Sequence, residues 1–227
     1  LSDAEAASIP VVYMTAAIAL YRMANVAAGE TVLIHNAGGG VGIAAAQLAG
    51  LRRARLIGTA SAGKHGALQQ FGFEHLIDYR TADVFSDVKR LTGGRGVDVI
   101  LDPLGGRSFA ASYALLAPLG RMVMFGVQTI APGRTRSLSA ILSTLWAMPK
   151  FKPMSLMNRN RGVFGLNVGH LWSEREKLAP LMTSLVREFE SDRLKTVVAK
   201  TFPLEQVADA HAYLQGRANI GKVVLTL

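Results

Sequence analysis

TVLIHNAGGGVGIAAA, Thr31 to Ala46, is the stretch whose reading decides the fold. Thr31-Val-Leu-Ile is a short continuous apolar run without helical periodicity, the pattern of a parallel strand covered on both faces. It runs into Gly38, Gly39 and Gly40. These reach backbone angles closed to other residues and, lacking Cβ atoms, let a diphosphate approach the main chain. The small-residue helix that follows begins with N–H groups that have no intrahelical partner and with the positive end of its dipole, so an anion is stabilised there. Written as Gly40-x-Gly42-x-x-Ala45, with Val41 between the glycines, the run fits the dinucleotide pattern G-x-G-x-x-G/A. A second strand-like run, Arg55-Leu-Ile-Gly-Thr-Ala, follows at the distance a βαβ unit requires, which separates this loop from a Gly-rich turn with no ligand.

The end of that second strand bears on which dinucleotide is held. An NAD site places Asp or Glu roughly 20 residues beyond the glycines, where it accepts hydrogen bonds from the ribose. Here the stretch reads Thr59-Ala-Ser-Ala-Gly-Lys64-His65, with no acid. Ser61 can donate to a 2′-phosphate and Lys64 can set a positive charge beside it, so NADP(H) is favoured over NAD(H). The competing reading makes Lys64 a solvated lysine in the first turn of the next helix.

The chain has 227 residues, half of them apolar, enough for one sizeable domain or one domain plus a fragment of another. With no cysteine, a disulfide framework and thiolate metal ligation are excluded. No apolar stretch reads as a bilayer span, and Leu1-Ser-Asp-Ala-Glu lacks the basic-then-apolar pattern of a signal peptide. A cytoplasmic location is expected, and a start at Leu suggests a fragment. The net charge of +9 gathers at Arg52, Arg53 and Arg55, and again at Arg134, Arg136, Lys150, Lys152, Arg159 and Arg161. Without interleaved aromatics or a recognised binding module, these read as a solvated basic face and not as a nucleic-acid surface.

The remaining pattern alternates strands and helices. A helix over Asp3 to Asn25 is interrupted near Pro10 and closed by Gly29. Helices follow at Lys64 to Phe71, Phe85 to Leu91 and Ser108 to Leu115, and strands at His75 to Asp78, Val97 to Leu101, Arg121 to Phe125 and Gly162 to Val168. Right-handed crossovers then give an α/β fold with a doubly wound, six-stranded parallel sheet of the Rossmann type. Ligands sit outside the carboxyl ends of such strands, which singles out Asp102-Pro-Leu-Gly-Gly106 and Phe125-Gly126-Val127. Asp102 itself reads as a turn residue before proline. The five histidines, at 35, 65, 75, 170 and 211, show no metal-ligand spacing, and no metal site is expected. Gly216-Arg-Ala-Asn-Ile-Gly-Lys-Val nearly spells an ATP-binding loop, but Val replaces the magnesium-binding hydroxyl and a strand follows.

Several motifs in one order carry a resemblance: Ala6-Ala-Ser-Ile-Pro10, Met14-Thr15-Ala16, Ala37-Gly-Gly-Gly-Val-Gly42, Gly58-Thr-Ala-Ser-Ala-Gly-Lys64-His65, Ile77-Asp78-Tyr79 and Asp102-Pro-Leu-Gly-Gly106. Together they resemble the zinc-independent quinone oxidoreductases of the medium-chain dehydrogenase/reductase superfamily. The similarity is nearest to the branch around the synaptic vesicle amine transport protein, which shares a segment like Asn160-Arg-Gly-Val-Phe-Gly-Leu166. The resemblance implies Thr15 near the nicotinamide ribose and phosphates, Gly39 to Val41 at the pyrophosphate, and Ser61, Lys64 and Tyr79 around the 2′-phosphate. It further implies Leu104, Phe125, Gly126, Val127, Phe164 and Leu166 along the nicotinamide, with Asn219 and Lys222 returning beside the cofactor. The family's GroES-like catalytic domain has no counterpart here, so no catalytic acid is assigned. Residues 1–194 are then the cofactor domain and residues 195–227 a return segment toward the catalytic domain.

The implied chemistry is metal-independent hydride transfer from NADPH to an electrophilic carbon of an enone or quinone. A polyketide enoyl-reductase domain is a related reading, from which Gly126-Val-Gln departs. A homodimer paired through the edge of the sixth strand is expected. The excursion from Ala131 to Arg161, with Leu138, Ile141, Leu142, Leu145 and Trp146 at helical spacing and basic residues on either side, carries a different reading. It could lie on an anionic membrane or against a protein partner, or simply cover the crevice or a subunit interface.

Overall fold

A computed structural model describes residues 1–128 and 138–227, with residues 138–141 described through their backbone only. Arg134, Arg136 and the start of the basic excursion lie outside the described residues, as do the side chains of Leu138 and Ile141.

Six strands, β1 (Thr31–Ile34), β2 (Arg55–Thr59), β3 (Phe73–Ile77), β4 (Val97–Asp102), β5 (Leu116–Met124) and β6 (Gly162–Gly165), form one parallel sheet in the order β3-β2-β1-β4-β5-β6. This is the doubly wound order, with its switch point between β1 and β4. Adjacent strand residues point to opposite faces, which explains why the strands read as unbroken apolar runs. Val32, Ile34, Leu56, Val99 and Leu101 face one buried cluster, while Leu33, Ile57 and Ile100 face the other. The first cluster is closed by α2 (Pro10–Ala17), which follows the short α1 (Asp3–Ser8), and by α3 (Gly40–Leu51) and α9 (Arg175–Glu190). Beneath the second lie α5 (Val84–Leu91) and α6 (Arg107–Leu115), through Val88, Phe109 and Leu115. The short α4 (His65–Gln69) leads to β3; α7 (Leu138–Trp146) and α8 (Pro153–Arg159) precede β6.

The leading helix departs from its sequence reading. Pro10 does open a helical run, at the first position of α2, but the run continues into a π-helical turn, Ile18–Met23, and stops before Asn25 at φ 45°. Gly29 is not its cap. It takes φ 80° in the turn before β1 and donates its N–H to the Arg53 carbonyl. The Asp3–Met23 run is also long and apolar enough to cross a bilayer by length and composition, contrary to the sequence reading; 61% of its apolar window is buried inside this fold. Tyr13 and Tyr21 tie it down, donating to the Lys195 and Leu48 carbonyls.

Downstream of α9, β7 (Val198–Pro203), α10 (Val207–Gln215) and β8 (Lys222–Thr226) make a separate two-stranded parallel unit. It meets the main sheet's ligand edge around the glycine loop, where Gly221 bridges Gly39 and the Lys222 stem lies over Gly40.

Candidate functional site

The glycine loop turns from β1 into the N-terminus of α3, with the frame of its motif displaced by three residues. Gly39 caps α3 and Gly40 is the first helical residue. The position that forbids a side chain is Gly42. A Cβ there would lie 2.5 Å from the Asn36 carbonyl oxygen and 2.7 Å from that of Ala37. Close packing of helix on strand is the task of the last glycine in the pattern, so the working frame is Ala37-x-Gly39-x-x-Gly42 and not Gly40-x-Gly42-x-x-Ala45. Ala44, Ala45 and Ala46 are fully buried and continue the close contact. The loop leaves Asn36 at φ 53°, a left-handed position that Asn adopts more readily than most side chains.

At the end of β2, Ser61 starts a 3₁₀ turn, Ala62–Lys64. Lys64 reaches back across the loop: its ammonium donates to the Asn219 carbonyl at 2.6 Å, and its stem lies where a Gly38 side chain would go. Burial, then the neighbouring Arg80 and Arg217 guanidinium groups, hold its pKa below the usual lysine range, with Tyr79 acting in the opposite direction. Three cations and a half-exposed phenol thus collect beside the glycine loop. Arg80 and Arg217 are additions to the sequence reading. Arg80 adjoins Tyr79, and Arg217 sits inside the run that nearly spells an ATP loop; folding brings both to Lys64.

The return segment is sewn to the same loop. Gly221 donates its N–H to the Gly38 carbonyl at 3.0 Å, Asn219 donates its amide to the Gly221 carbonyl, and the Lys222 stem lies over Gly40. Asn219 and Lys222 are therefore beside the glycine loop.

On the opposite side of the switch point, Asp102 is fully buried at the end of β4 and forms the floor of a turn. Its carboxylate accepts from the Leu104 N–H and from the Ser108 and Ser112 hydroxyls. Gly105 and Gly106 follow at positive φ, and Val127 presses on Gly105 where a Cβ would meet it at 2.5 Å. Phe125 donates its N–H to the Asp102 carbonyl, and Gln128 accepts from the Asn36 amide. Leu104, Phe125, Gly126 and Val127 hence line one wall beside the glycine loop. Leu166 is buried and, like Phe125, packs on the α2 side of the sheet, whereas Phe164 on β6 stands 37% exposed. Thr15 is buried in α2 with its hydroxyl donating to the Val11 carbonyl, so its side chain serves its own helix. A cleft of about 160 Å³ opens at the other end of the strands. Its cations Arg55 and Arg95 are paired with Glu74 and Asp98, which leaves little attraction for an anion.

A family described as zinc-binding dehydrogenase matches residues 71–225. The synaptic vesicle membrane protein VAT-1 homolog of Danio rerio is 38% identical over 227 residues, covering 100% of this chain and 47% of that protein. The CurK enoyl reductase is 30% identical with a TM-score of 0.81, the match covering 100% of this chain and 64% of that one. A mycobacterial protein, Rv1454c, solved complexed with NADPH, is 28% identical with a TM-score of 0.83 over 100% of this chain and 66% of its own. The chain spans about half the length of the curated relatives it matches. For the metal in the family's description the residues present do not fit: cysteine is absent from the sequence, and among the described residues no group of three or more His, Asp or Glu is placed to hold an ion.

Proposed function

The chain belongs to the zinc-binding dehydrogenase family, within the medium-chain dehydrogenase/reductase superfamily and near its VAT-1 branch, and on that premise we propose that it is the cofactor-binding portion of an NADPH-dependent reductase. The observation that carries the cofactor is the set Lys64, Arg80 and Arg217 at a strand end where an NAD site would present a carboxylate. A 2′-phosphate beside three cations gains charge-assisted hydrogen bonds that a ribose hydroxyl cannot match.

Bound NADPH would supply a hydride to an electrophilic carbon of an enone or quinone. The protein's share is orientation. The α3 N-terminus and glycine loop meet the pyrophosphate, Lys64 and its neighbours take the adenosine end, and the Leu104 and Phe125 to Val127 wall holds the nicotinamide against the crevice. No residue of this chain is assigned as proton donor. The likeness to a polyketide enoyl reductase supports the same hydride chemistry, while Gly126-Val-Gln stands against membership of that subgroup. Fluorescence titration with NADPH and NADH tests the reading: NADPH should bind tighter, and Lys64→Glu should reverse the order. Equal affinity for both cofactors would remove Lys64 from the site.

A second copy paired along the exposed edge of β6 is proposed as the quaternary state. A second reading, attachment to an anionic bilayer, is supported by one observation. Between Asp102 and Glu174 the sequence contains no acid and eight Lys or Arg, and within that stretch Leu142, Leu145 and Trp146 of α7 are exposed, Trp146 to 92%. Only Arg121 of the eight is paired with a carboxylate among the described residues, bonding Glu30 at 2.6 Å. Sedimentation with anionic liposomes at low salt should carry the chain down. Failure to sediment there removes the membrane reading and leaves the reductase reading intact.

A further inference from the structure

Beneath the crevice lies a chain of buried polar side chains that the cofactor reading does not use. His35 immediately follows β1, Thr59 ends β2, Asp102 ends β4, and Ser112 comes up from α6; all four are less than 9% exposed. His35 Nδ1 is 3.2 Å from the Thr59 hydroxyl and its Nε2 is 3.1 Å from the Ser112 hydroxyl. The Ser112 hydroxyl gives its proton to the Asp102 carboxylate at 2.7 Å. Since a carboxylate only accepts, the direction of every link is set. Ser112 must receive from Nε2–H, so Nδ1 carries the lone pair and accepts from Thr59. The Thr59 oxygen in turn accepts from the Asn36 N–H at 3.3 Å, and its carbonyl accepts from the Ala37 N–H. Every donor points toward one carboxylate, and the far end of the chain is the left-handed residue that launches the glycine loop.

We propose that His35 is a positioning residue for the cofactor: through Ser112 and Thr59 it couples the Asp102 turn to Asn36, and so sets the loop geometry that meets a pyrophosphate. The inference rests on the cofactor reading above and adds a regulation to the same site. A protonated His35 would have to donate from Nδ1, which turns the Thr59 hydroxyl hydrogen away from its acceptor and rotates the hydroxyl whose oxygen holds the Asn36 N–H. Acid therefore loosens the pyrophosphate end and leaves the adenosine end untouched. Asp102 is the charged group that faces the imidazole; it favours the protonated ring, and burial disfavours it more strongly.

The experiment compares NADPH with adenosine 2′-monophosphate, which reaches only the Lys64 end, by calorimetric titration of the full chain from pH 8 down to the lowest pH at which it stays folded. The phosphate itself titrates with a second pKa of about 6, and that effect is common to both ligands, so their ratio isolates the loop. His35→Leu, which removes both links, should weaken NADPH about tenfold and change the monophosphate by less than about twofold, as expected for a lost hydrogen bond at one end only. His35→Asn keeps an acceptor facing Thr59 and does not titrate. It should retain most of the NADPH affinity while abolishing the acid fall of the ratio, a pattern that lost packing alone would not give. NADPH binding by folded His35→Leu within twofold of the unsubstituted chain, a ratio that stays flat with acid in the unsubstituted chain, or an acid fall that persists in His35→Asn, overturns the relay and spares the cofactor reading. An unsubstituted chain that binds neither ligand overturns the cofactor reading, and the relay with it.

Discussion

The crevice floor and the β6 edge are made from the same kind of sequence, apolar runs with glycines between them, and they end in opposite states. Around β1, β2 and β4 the space is filled. Gly42 has carbonyl oxygens where a methyl would go, Asp102 is fully buried with three donors on it, and His35 is bonded at both ring nitrogens. Around β6, Phe164, Leu142, Leu145, Trp146, Met154 and Met157 are exposed, and Lys150, Lys152 and Arg159 stand among them without an acid in the stretch. The contrast separates two sources of constraint. The floor is held by contacts inside the chain, so its geometry is set whatever binds. The edge carries exposed apolar and cationic surface that no contact within the described residues covers.

The largest difference should come from adding one methyl to a glycine of each region. Gly42→Ala forces the α3 N-terminus away from the loop and should destabilise the chain by about 3 kcal/mol, at the upper end of overpacking costs. Gly165→Ala on β6 meets nothing within 4 Å among the described residues and should be neutral or stabilising by up to about 1 kcal/mol. Urea unfolding of the two variants measures both, and equal losses would dissolve the contrast. Next in size is Lys64→Glu. A charge reversal beside a 2′-phosphate should weaken NADPH about a hundredfold, near 2.7 kcal/mol, and leave the unfolding midpoint almost unchanged, because Lys64 bonds only a carbonyl of the return segment.

Acid gives a smaller effect, again confined to the floor. Burial lowers the folded-state pKa of His35, so between that value and about 6.5 the unfolded chain binds the extra proton. Stability should therefore be complete above about pH 6.5 and fall by up to about 1.4 kcal/mol per pH unit as pH drops below it. The carboxylates Glu30 and Asp98, whose folded pKa values are lowered, add their own losses only further down, below the ordinary carboxylate range. In His35→Asn the fall between pH 6.5 and 5 should vanish, as read by urea midpoints at each pH.

How far the sequence spoke follows the same division. The strands of the floor were legible because residues alternating between two buried faces leave an unbroken apolar run, and because Pro10 and the glycines punctuate it. The frame of the glycine motif was misplaced by three residues. Spacing alone permits both frames, and only the approach of Gly42 to the Asn36 carbonyl chooses between them. Lys64 could be named from the missing acid at the end of β2, and Tyr79 only through the family resemblance. Arg217 could not, since 153 residues separate it from Lys64 in the chain and a crossover brings them together. The His35 chain was invisible for a related reason. Histidine, serine and threonine are ordinary surface residues by composition, and their burial arises from three strand ends and α6 converging on one carboxylate. One sign was present: Ser108 and Ser112 are spaced to lie on one face of a helix that begins just after Asp102.

The smallest expected effect on stability belongs to the edge, and it is the one that tests what the edge is for. Trp146 is 92% exposed at the end of α7, so Trp146→Glu removes little buried area and should shift stability by less than about 0.5 kcal/mol. On an anionic bilayer the same change sets a carboxylate where an indole would enter the interface, next to Lys150 and Lys152, each of which contributes about 1 kcal/mol near such a surface. Liposome sedimentation should fall at least tenfold in the variant, an equilibrium change of about 1.4 kcal/mol, and NADPH affinity should stay unchanged. If Trp146→Glu instead leaves sedimentation alone and converts a dimer to a monomer in analytical ultracentrifugation, the exposed residues beside β6 belong to the contact between two copies. A protein with neither change would have an edge whose apolar surface is idle, and the contrast with the floor would be one of packing alone.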